Sequence, residues 1–166
     1  MWVKVERREI RRSVIIGVEE QMFFGQYEHS VDDKGRMTIP ARYRELMEGG
    51  AYITQGFDQN LMVMSTDTFE KIYQRVNQMN MADPVARQFR RFIFSFAEKV
   101  ETDKLGRILI PSFLRETIHL QTSAMVVGVG SHFEIWPPDL WKKQSETLND
   151  AALNEQRFSV LDLTIG

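Results

Sequence analysis

The sequence predicts an α+β fold in which one small β-rich module occurs twice, each copy followed by helix. The pattern Asp-x-x-Gly-Arg-x-x-Ile-Pro occurs at residues 32–40 and again at residues 103–111. The spacing that relates Arg36 to Arg107 also relates Arg44 to Arg115, so the repeat extends beyond the pattern itself. Because a segment that occurs twice is a folding unit, whatever it presents is presented twice in a fixed geometry.

Each copy of the pattern predicts a tight turn between two extended arms. The aspartate at its start can accept hydrogen bonds from the backbone N–H groups ahead of it, and the glycine can adopt a positive φ at little cost. The residues assigned to this structural role are Asp32, Gly35, Asp103 and Gly106. In the first copy, residues 27–31 and 36–39 are expected to form the two arms of a hairpin.

The second arm of each hairpin is predicted to be half-buried and to lead into a short helix. Apolar residues alternate with Thr38 in the first copy and with Leu109 in the second, which leaves one face for the core. Pro40 and Pro111 suit the first position of a helix of about two turns. Two further strands joined by a Gly-bearing loop are expected in each module, at residues 51–54 with 61–64 and 124–127 with 133–136.

Helical periodicity follows both modules. Asp67 has the spacing of a helix cap, and an apolar face follows it, made of Phe69, Ile72, Tyr73, Val76 and Met79. A second helix is predicted to begin at Pro84 with Asp83 as its cap, and its apolar stripe, typical of core or subunit contact, contains Phe89, Phe92, Ile93 and Phe96. After the second module, residues 137–148 predict another helix, and the remaining tail has little periodicity.

These elements divide the chain into five segments. They are an N-terminal extension at residues 1–21, a first module at 26–69, a helical spacer at 70–96, a second module at 97–140, and a C-terminal helix and tail at 141–166. Residues 1–21 have no counterpart in the repeat, and we interpret them as a disordered extension or a non-native start before Met22. The alternative is a basic arm that lies along a phosphate backbone.

Composition excludes several classes of protein. With 43% hydrophobic residues the chain can bury a core, and without cysteine it has no disulfide or Cys-zinc site, which fits a cytoplasmic location. No apolar run approaches the roughly 18 residues of a membrane helix, so no membrane partner is expected. The three histidines lack metal-ligand spacing, and neither a nucleophile elbow nor a phosphate loop is present. We therefore expect no enzyme activity, metal, cofactor or small-molecule substrate.

The distribution of charge permits local contact with a polyanion. The net charge of −2 argues against coating nucleic acid by bulk electrostatics. Four basic residues cluster in the first copy, Lys34, Arg36, Arg42 and Arg44, whereas the second copy, with Arg107, is nearly balanced by carboxylates. The planar fork of arginine suits base edges and phosphates, so the first copy should dominate such contacts. The alternative is that each motif arginine pairs with its own aspartate and only braces the turn.

Together these features resemble the MraZ family of bacterial regulators with tandem SpoVT-AbrB domains. The residues that carry the resemblance are the two motifs, Met22-Phe23-Phe24-Gly25, Arg42-Tyr43-Arg44 and the helical spacer, and it runs from Met22 to about Leu148. The resemblance implies AbrB-like swapped-hairpin modules, a closed homo-oligomeric ring, and nucleoid-associated binding to double-stranded DNA. Its implied targets are direct repeats in the promoter of the division and cell-wall gene cluster, including its own gene.

The resemblance also implies roles for particular residues. The arginine of the first motif is a DNA contact in such proteins, which carries over to Arg36 with Lys34 beside it. Phe24 stands where many relatives have a basic residue, and Leu105 replaces the motif lysine in the second copy, so the two motifs are expected to be used unequally. Two alternatives are a ring-forming scaffold for cell-division proteins with incidental DNA affinity and a single-module antitoxin, against which the duplication argues.

Overall fold

Residues 22–162, the part of the chain that the computed structural model describes, form eight strands and six helices, with the strands in consecutive pairs. The strands are β1 Gln26–Ser30, β2 Arg36–Thr38, β3 Ala51–Gln55, β4 Leu61–Ser65, β5 Glu98–Val100, β6 Arg107–Leu109, β7 Ser123–Gly128 and β8 Phe133–Trp136. The helices are α1 Ala41–Leu46, α2 Thr66–Asn77, α3 Pro84–Phe94, α4 Ser112–Thr117, α5 Pro138–Leu148 and α6 Ala151–Phe158. The expectation for residues 1–21 falls outside the described residues.

The two modules are intertwined in one antiparallel sheet and one ribbon. The six-stranded sheet has the order β1-β7-β8-β4-β3-β5, and β2 pairs with β6 separately. Exchanging each strand for its counterpart in the other module only reverses this order, with β4 and β8 at the centre, where Leu61 lies opposite Ile135. The first strand of each module pairs in the other module's half, β1 with β7 and β5 with β3. The fold class is therefore the expected α+β, with exchanged β-arms.

The arms of the first predicted hairpin pair mainly with the other module. The turn between them closes as expected, because the N–H of Asp32 donates to the carbonyl of Arg36 at 3.0 Å. Beyond it, one bridge joins Val31 to Met37, and the two arms then continue into separate pairings. The simple hairpin was thus wrong beyond the turn, since strands of the other copy satisfy the same backbone groups over longer ladders.

Alternation along β2 and β6 places one face of the ribbon in the core. Met37, Ile39, Ile108 and Ile110 are completely buried, and they join residues of the large sheet in a single apolar cluster. Burying each such side chain stabilises the fold by roughly 1.5–3 kcal/mol. Because ribbon and sheet share this core, the two modules form one folding unit, and the ribbon packs on the sheet through its buried face while its other face meets solvent.

The helices differ from expectation at their caps and near the end of the chain. Pro40 and Pro111 occupy the cap positions of α1 and α4 and not their first turns. Helix α2 is capped by the hydroxyl of Ser65, which accepts from Thr68 N at 3.3 Å, so the expectation for Asp67 was wrong. Asp83 caps α3 as expected, accepting from Val85 N.

The tail contains a helix that its weak periodicity concealed. Helix α6 starts after Asp150, whose carboxylate accepts from Leu153 N at 3.1 Å, and it buries no residue completely. A helix without a buried face leaves little periodic signal in the sequence. Each module is thus followed by two helices, α2 with α3 and α5 with α6. None of the helices within residues 22–162 is long and apolar enough to cross a bilayer.

Candidate nucleic-acid interface

The first motif forms a turn that its aspartate organises. One carboxylate oxygen of Asp32 accepts from the backbone N–H of Lys34 at 3.0 Å and from that of Arg36 at 2.8 Å. Gly35 has a φ of +87°, a conformation that residues with a Cβ rarely adopt. The turn therefore needs both residue types in order to place Lys34 and Arg36 beside each other.

The second motif repeats this arrangement with nearly the same distances. Asp103 accepts from the backbone N–H groups of Leu105 and Arg107, both at 2.9 Å. Gly106 has a φ of +73°. The backbone of the two turns is thus held by equivalent bonds, and the turns differ in the side chains that they expose.

Each motif arginine pairs with the aspartate of its own turn. Nε of Arg36 lies 2.7 Å from Asp32 Oδ2, and Nε of Arg107 lies 2.8 Å from Asp103 Oδ2. Backbone hydrogen bonds, supported by these guanidinium contacts, hold the pKa of both carboxyls below the usual value. These pairs brace the turns, but they engage Nε alone. Among residues 22–162, no hydrogen bond engages the terminal nitrogens of either guanidinium, so they can donate to another partner.

The ribbon brings the two motif arginines onto one exposed face. In the β2–β6 register, Arg36 lies opposite Leu109 and Thr38 lies opposite Arg107. Opposite residues of an antiparallel pair point to the same side, so these four side chains form one surface, called here the ribbon face. Its two arginines come from different modules and occupy diagonal positions, about 7–8 Å apart at the backbone. Neither module could build this surface alone.

The turns at the ends of the ribbon differ in their exposed side chains. Lys34 is exposed beside Arg36, whereas Leu105 occupies the same place in the second turn and is 69% exposed. Lys104, also exposed, stands one position earlier, where the first turn has Asp33. The first turn thus has two cations and two carboxylates within residues 32–36, and the second has two cations and one carboxylate within residues 103–107.

Arg42 is an exposed residue of the short helix α1. Its guanidinium carbon lies 5.6 Å from the centre of the Phe24 ring, a cation–π geometry. Phe113 occupies the equivalent position in α4 and packs near Phe96. The first module therefore has a basic side chain on α1 where the second has an apolar one on α4.

Arg44 packs inside the fold, whereas Lys34 and Arg42 of the first copy are exposed. It is half-buried, and its Nε donates to the carbonyl of Ile39 at 3.3 Å. Its side chain lies against Gly106, which belongs to the turn of the other module. Arg115 has the matching position against Gly35, a role that the sequence analysis missed although the repeat register pairs Arg115 with Arg44.

The histidines lie apart from the ribbon face. Burial lowers the pKa of His29 and of His132, which favours their neutral forms. Within residues 22–162, no group of three His, Asp or Glu side chains is arranged to hold a metal ion.

Comparison with known proteins identifies the family. The family model of the MraZ protein, whose description calls it antitoxin-like, matches residues 22–92 and again residues 93–162. A protein named transcriptional regulator MraZ from Thermomicrobium roseum is 44% identical over 127 residues, covering 76% of this chain and 89% of its own length. Proteins of the same name from a Roseiflexus species and from Desulfitobacterium hafniense are 40% and 42% identical over 141 and 130 residues.

These relatives cover most of both chains. The Roseiflexus alignment spans 84% of this chain and 99% of the relative, and the Desulfitobacterium alignment spans 78% and 91%. Their names describe regulators and not enzymes, which agrees with the absence of catalytic motifs from the sequence. Since the family model matches the chain twice in tandem and the relatives align across both modules, the chain belongs to the MraZ family.

Proposed function

We propose that this protein is a sequence-specific transcriptional regulator that binds double-stranded DNA through the ribbon face. The observation that carries the proposal is the pair of arginines, Arg36 and Arg107, on one exposed surface of a two-stranded ribbon. The major groove of B-DNA admits such a ribbon, and arginine donates in pairs to guanine. The relatives named transcriptional regulators support the same assignment.

The surrounding basic residues take different parts in this proposal. Arg36 and Arg107 contact base edges with their terminal nitrogens while Asp32 and Asp103 orient them through Nε. Lys34 at the turn and Arg42 on α1 contact phosphates, which position the ribbon without selecting a sequence. Since Lys104 of the second turn is displaced by one position and Phe113 replaces Arg42, the first module makes the larger share of these contacts.

We further propose that a ring of identical subunits binds direct repeats in the promoter of the division and cell-wall gene cluster, which includes its own gene. A single chain of net charge −2 should bind DNA weakly, but a cyclic assembly repeats the ribbon face at a constant spacing. Direct repeats match the head-to-tail symmetry of such a ring. This proposal places the protein in the nucleoid.

An exposed apolar surface near α3 supports assembly. Phe57 is 65% exposed, and its ring lies 5.2 Å from that of Phe92 and 6.2 Å from that of Phe89. Val85, on the same helix, is 71% exposed. Large apolar side chains grouped in this way are typical of interfaces between subunits. Light scattering at micromolar concentration should therefore give a multiple of the chain mass, and a monomer mass would exclude the ring.

A mobility-shift titration tests DNA recognition. Promoter DNA from upstream of the gene and a scrambled duplex of the same length are compared at one stated salt concentration. We expect a clear preference for the promoter, lost in Arg36→Ala and kept in Arg75→Ala, which removes an exposed arginine of α2 outside the ribbon. Equal affinity for both duplexes would instead favour the scaffold alternative.

A further inference from the structure

The glycines of the two turns lie under arginines of the opposite module. A Cβ built on Gly35 would lie 2.5 Å from Nε of Arg115 and 2.8 Å from the carbonyl oxygen of Ile110. A Cβ on Gly106 would lie 2.6 Å from Cζ of Arg44. Each guanidinium therefore occupies the space that the missing side chain leaves, directly against the turn that presents the motif arginine.

Hydrogen bonds connect each of these arginines to the same turn. In one direction, Nε of Arg115 donates to the carbonyl of Ile110 at 3.1 Å, and the N–H of Ile110 donates to the carbonyl of Gly35 at 2.9 Å. In the other, Arg44 donates to Ile39, whose N–H donates to the carbonyl of Gly106 at 3.1 Å. Each turn is thus held from the module to which it does not belong.

The two arginines are engaged differently from those on the ribbon face. All four arginines are half-buried, but within the described part of the chain neither Arg44 nor Arg115 forms a salt bridge. Their Nε groups instead donate to backbone carbonyls inside the fold. A half-buried guanidinium that is bound to backbone and packed on glycine restricts where the turn can lie.

We propose that Arg115 and Arg44 are positioning residues that act crosswise, with Arg115 holding the first turn for DNA recognition and Arg44 holding the second. This inference rests on the proposed function, because the turns are the ends of the ribbon face. Although Arg44 belongs to the basic stretch of the first copy, it positions the turn that carries Arg107. Arg115 positions the turn that carries Lys34 and Arg36.

The matched variants Arg115→Lys and Arg44→Lys test the proposal, since both keep the charge and remove the planar fork. Amide hydrogen exchange is measured first, without DNA. Arg115→Lys should accelerate exchange at Gly35 and Arg36, whose N–H groups bond to Asp32, and leave Gly106 unchanged. Arg44→Lys should do the reverse. The proposal would be overturned if hydrogen exchange accelerated in the turn of the module that contains the substitution, or equally in both turns. The corresponding glutamine variants supply a second pair if a lysine variant does not fold.

Promoter affinity is then measured for the same two proteins at one salt concentration. Because the first turn makes more contacts, Arg115→Lys should weaken specific binding about tenfold, as expected for one impaired arginine contact, and Arg44→Lys should weaken it less. The salt dependence should change little, since both variants keep every positive charge of the protein. A larger loss in Arg44→Lys would make Arg44 a direct contact and refute the crosswise assignment.

The two measurements separate this inference from the proposed function. Crosswise hydrogen exchange in a wild-type protein that does not prefer promoter DNA would support the positioning of the turns and overturn the proposed function. A wild-type protein that prefers promoter DNA, with equal hydrogen exchange in both turns of each variant, would support the function and overturn the positioning.

Discussion

The turns of the two modules are alike in their bonds and different in the side chains that they expose. Asp32 and Asp103 each accept from two backbone N–H groups and from the Nε of a motif arginine, with distances that differ by no more than about 0.1 Å. Outside these bonds, Lys34 corresponds to Leu105 and Arg42 to Phe113. The residues that hold the ribbon are shared, whereas those that face solvent have diverged.

This difference indicates which properties the duplication constrains. Each turn is built into the other module, so a change that distorts its backbone lowers the stability of the one fold that both copies share. A change in an exposed side chain affects only the copy that contains it. Equivalent substitutions in the two modules should therefore change the stability of the protein alike and its affinity for DNA differently.

Replacement of the turn glycines should have the largest effect. Gly35→Val and Gly106→Val place a branched side chain at positive φ, which costs on the order of 1–3 kcal/mol in strain alone, and each must also displace the arginine that packs there. Both variants should melt several degrees below the wild type by calorimetry, to similar extents. Gly49→Val is the matched control, because a Cβ at Gly49 meets no atom within 4 Å. A normal melting temperature for either turn variant would contradict the equivalence of the turns.

Replacement of the motif arginines should separate the modules. Arg36→Ala should abolish specific promoter binding while leaving the assembly intact, since each lost bidentate contact costs about 1–3 kcal/mol per site and the loss recurs in every subunit. Arg107→Ala should lower affinity less. Because each arginine pairs with its aspartate in the same way, both variants should lower the melting temperature slightly and equally. Equal losses of affinity with intact assemblies would show that both motifs contribute alike to recognition.

Exchange of the exposed turn residues should have a smaller effect. Lys34→Leu gives the first turn the side chain of the second, and Leu105→Lys does the opposite. If Lys34 contacts a phosphate, the first variant should reduce the slope of log affinity against log salt by about 1 for each chain that contacts the duplex. Leu105→Lys should raise it. Titrations at several salt concentrations measure both slopes, and unchanged slopes would place the phosphate contacts elsewhere.

Acidic pH should lower the stability of the fold less than any of the substitutions above, and the two turns should contribute equally to this loss. The folded pKa of Asp32 and of Asp103 lies below the unfolded value of 3.8, mainly because backbone N–H groups donate to the charged carboxylates. The resulting stability is present above about pH 4 and is lost as the pH falls through the folded pKa. Asp32→Asn and Asp103→Asn should each flatten the pH dependence of unfolding in this acidic range. A difference between the two variants would show that the turns are electrostatically distinct.

Local chemistry made several parts of the fold predictable from the sequence. The turn glycines, the alternation along β2 and β6 and the start of α3 at Pro84 each depend on φ preference, side-chain direction or a bond between residues close in the chain. The repeat itself showed that these features occur twice. For the same reason, the motif arginines could be singled out before their positions were known.

The partners of those elements were decided by tertiary structure. Only the exchange of arms puts Arg36 and Arg107 on one face, and only the packing of α1 and α4 directs Arg44 and Arg115 onto the opposite turns. Helix α6 buries no residue and begins at a local cap, Asp150, so the period of its apolar residues gave no signal for it. A backbone N–H or a guanidinium can be satisfied equally well by groups close in the chain or distant from it. The shared apolar core makes the distant choice the stable one, because it buries both copies of the alternating strands together.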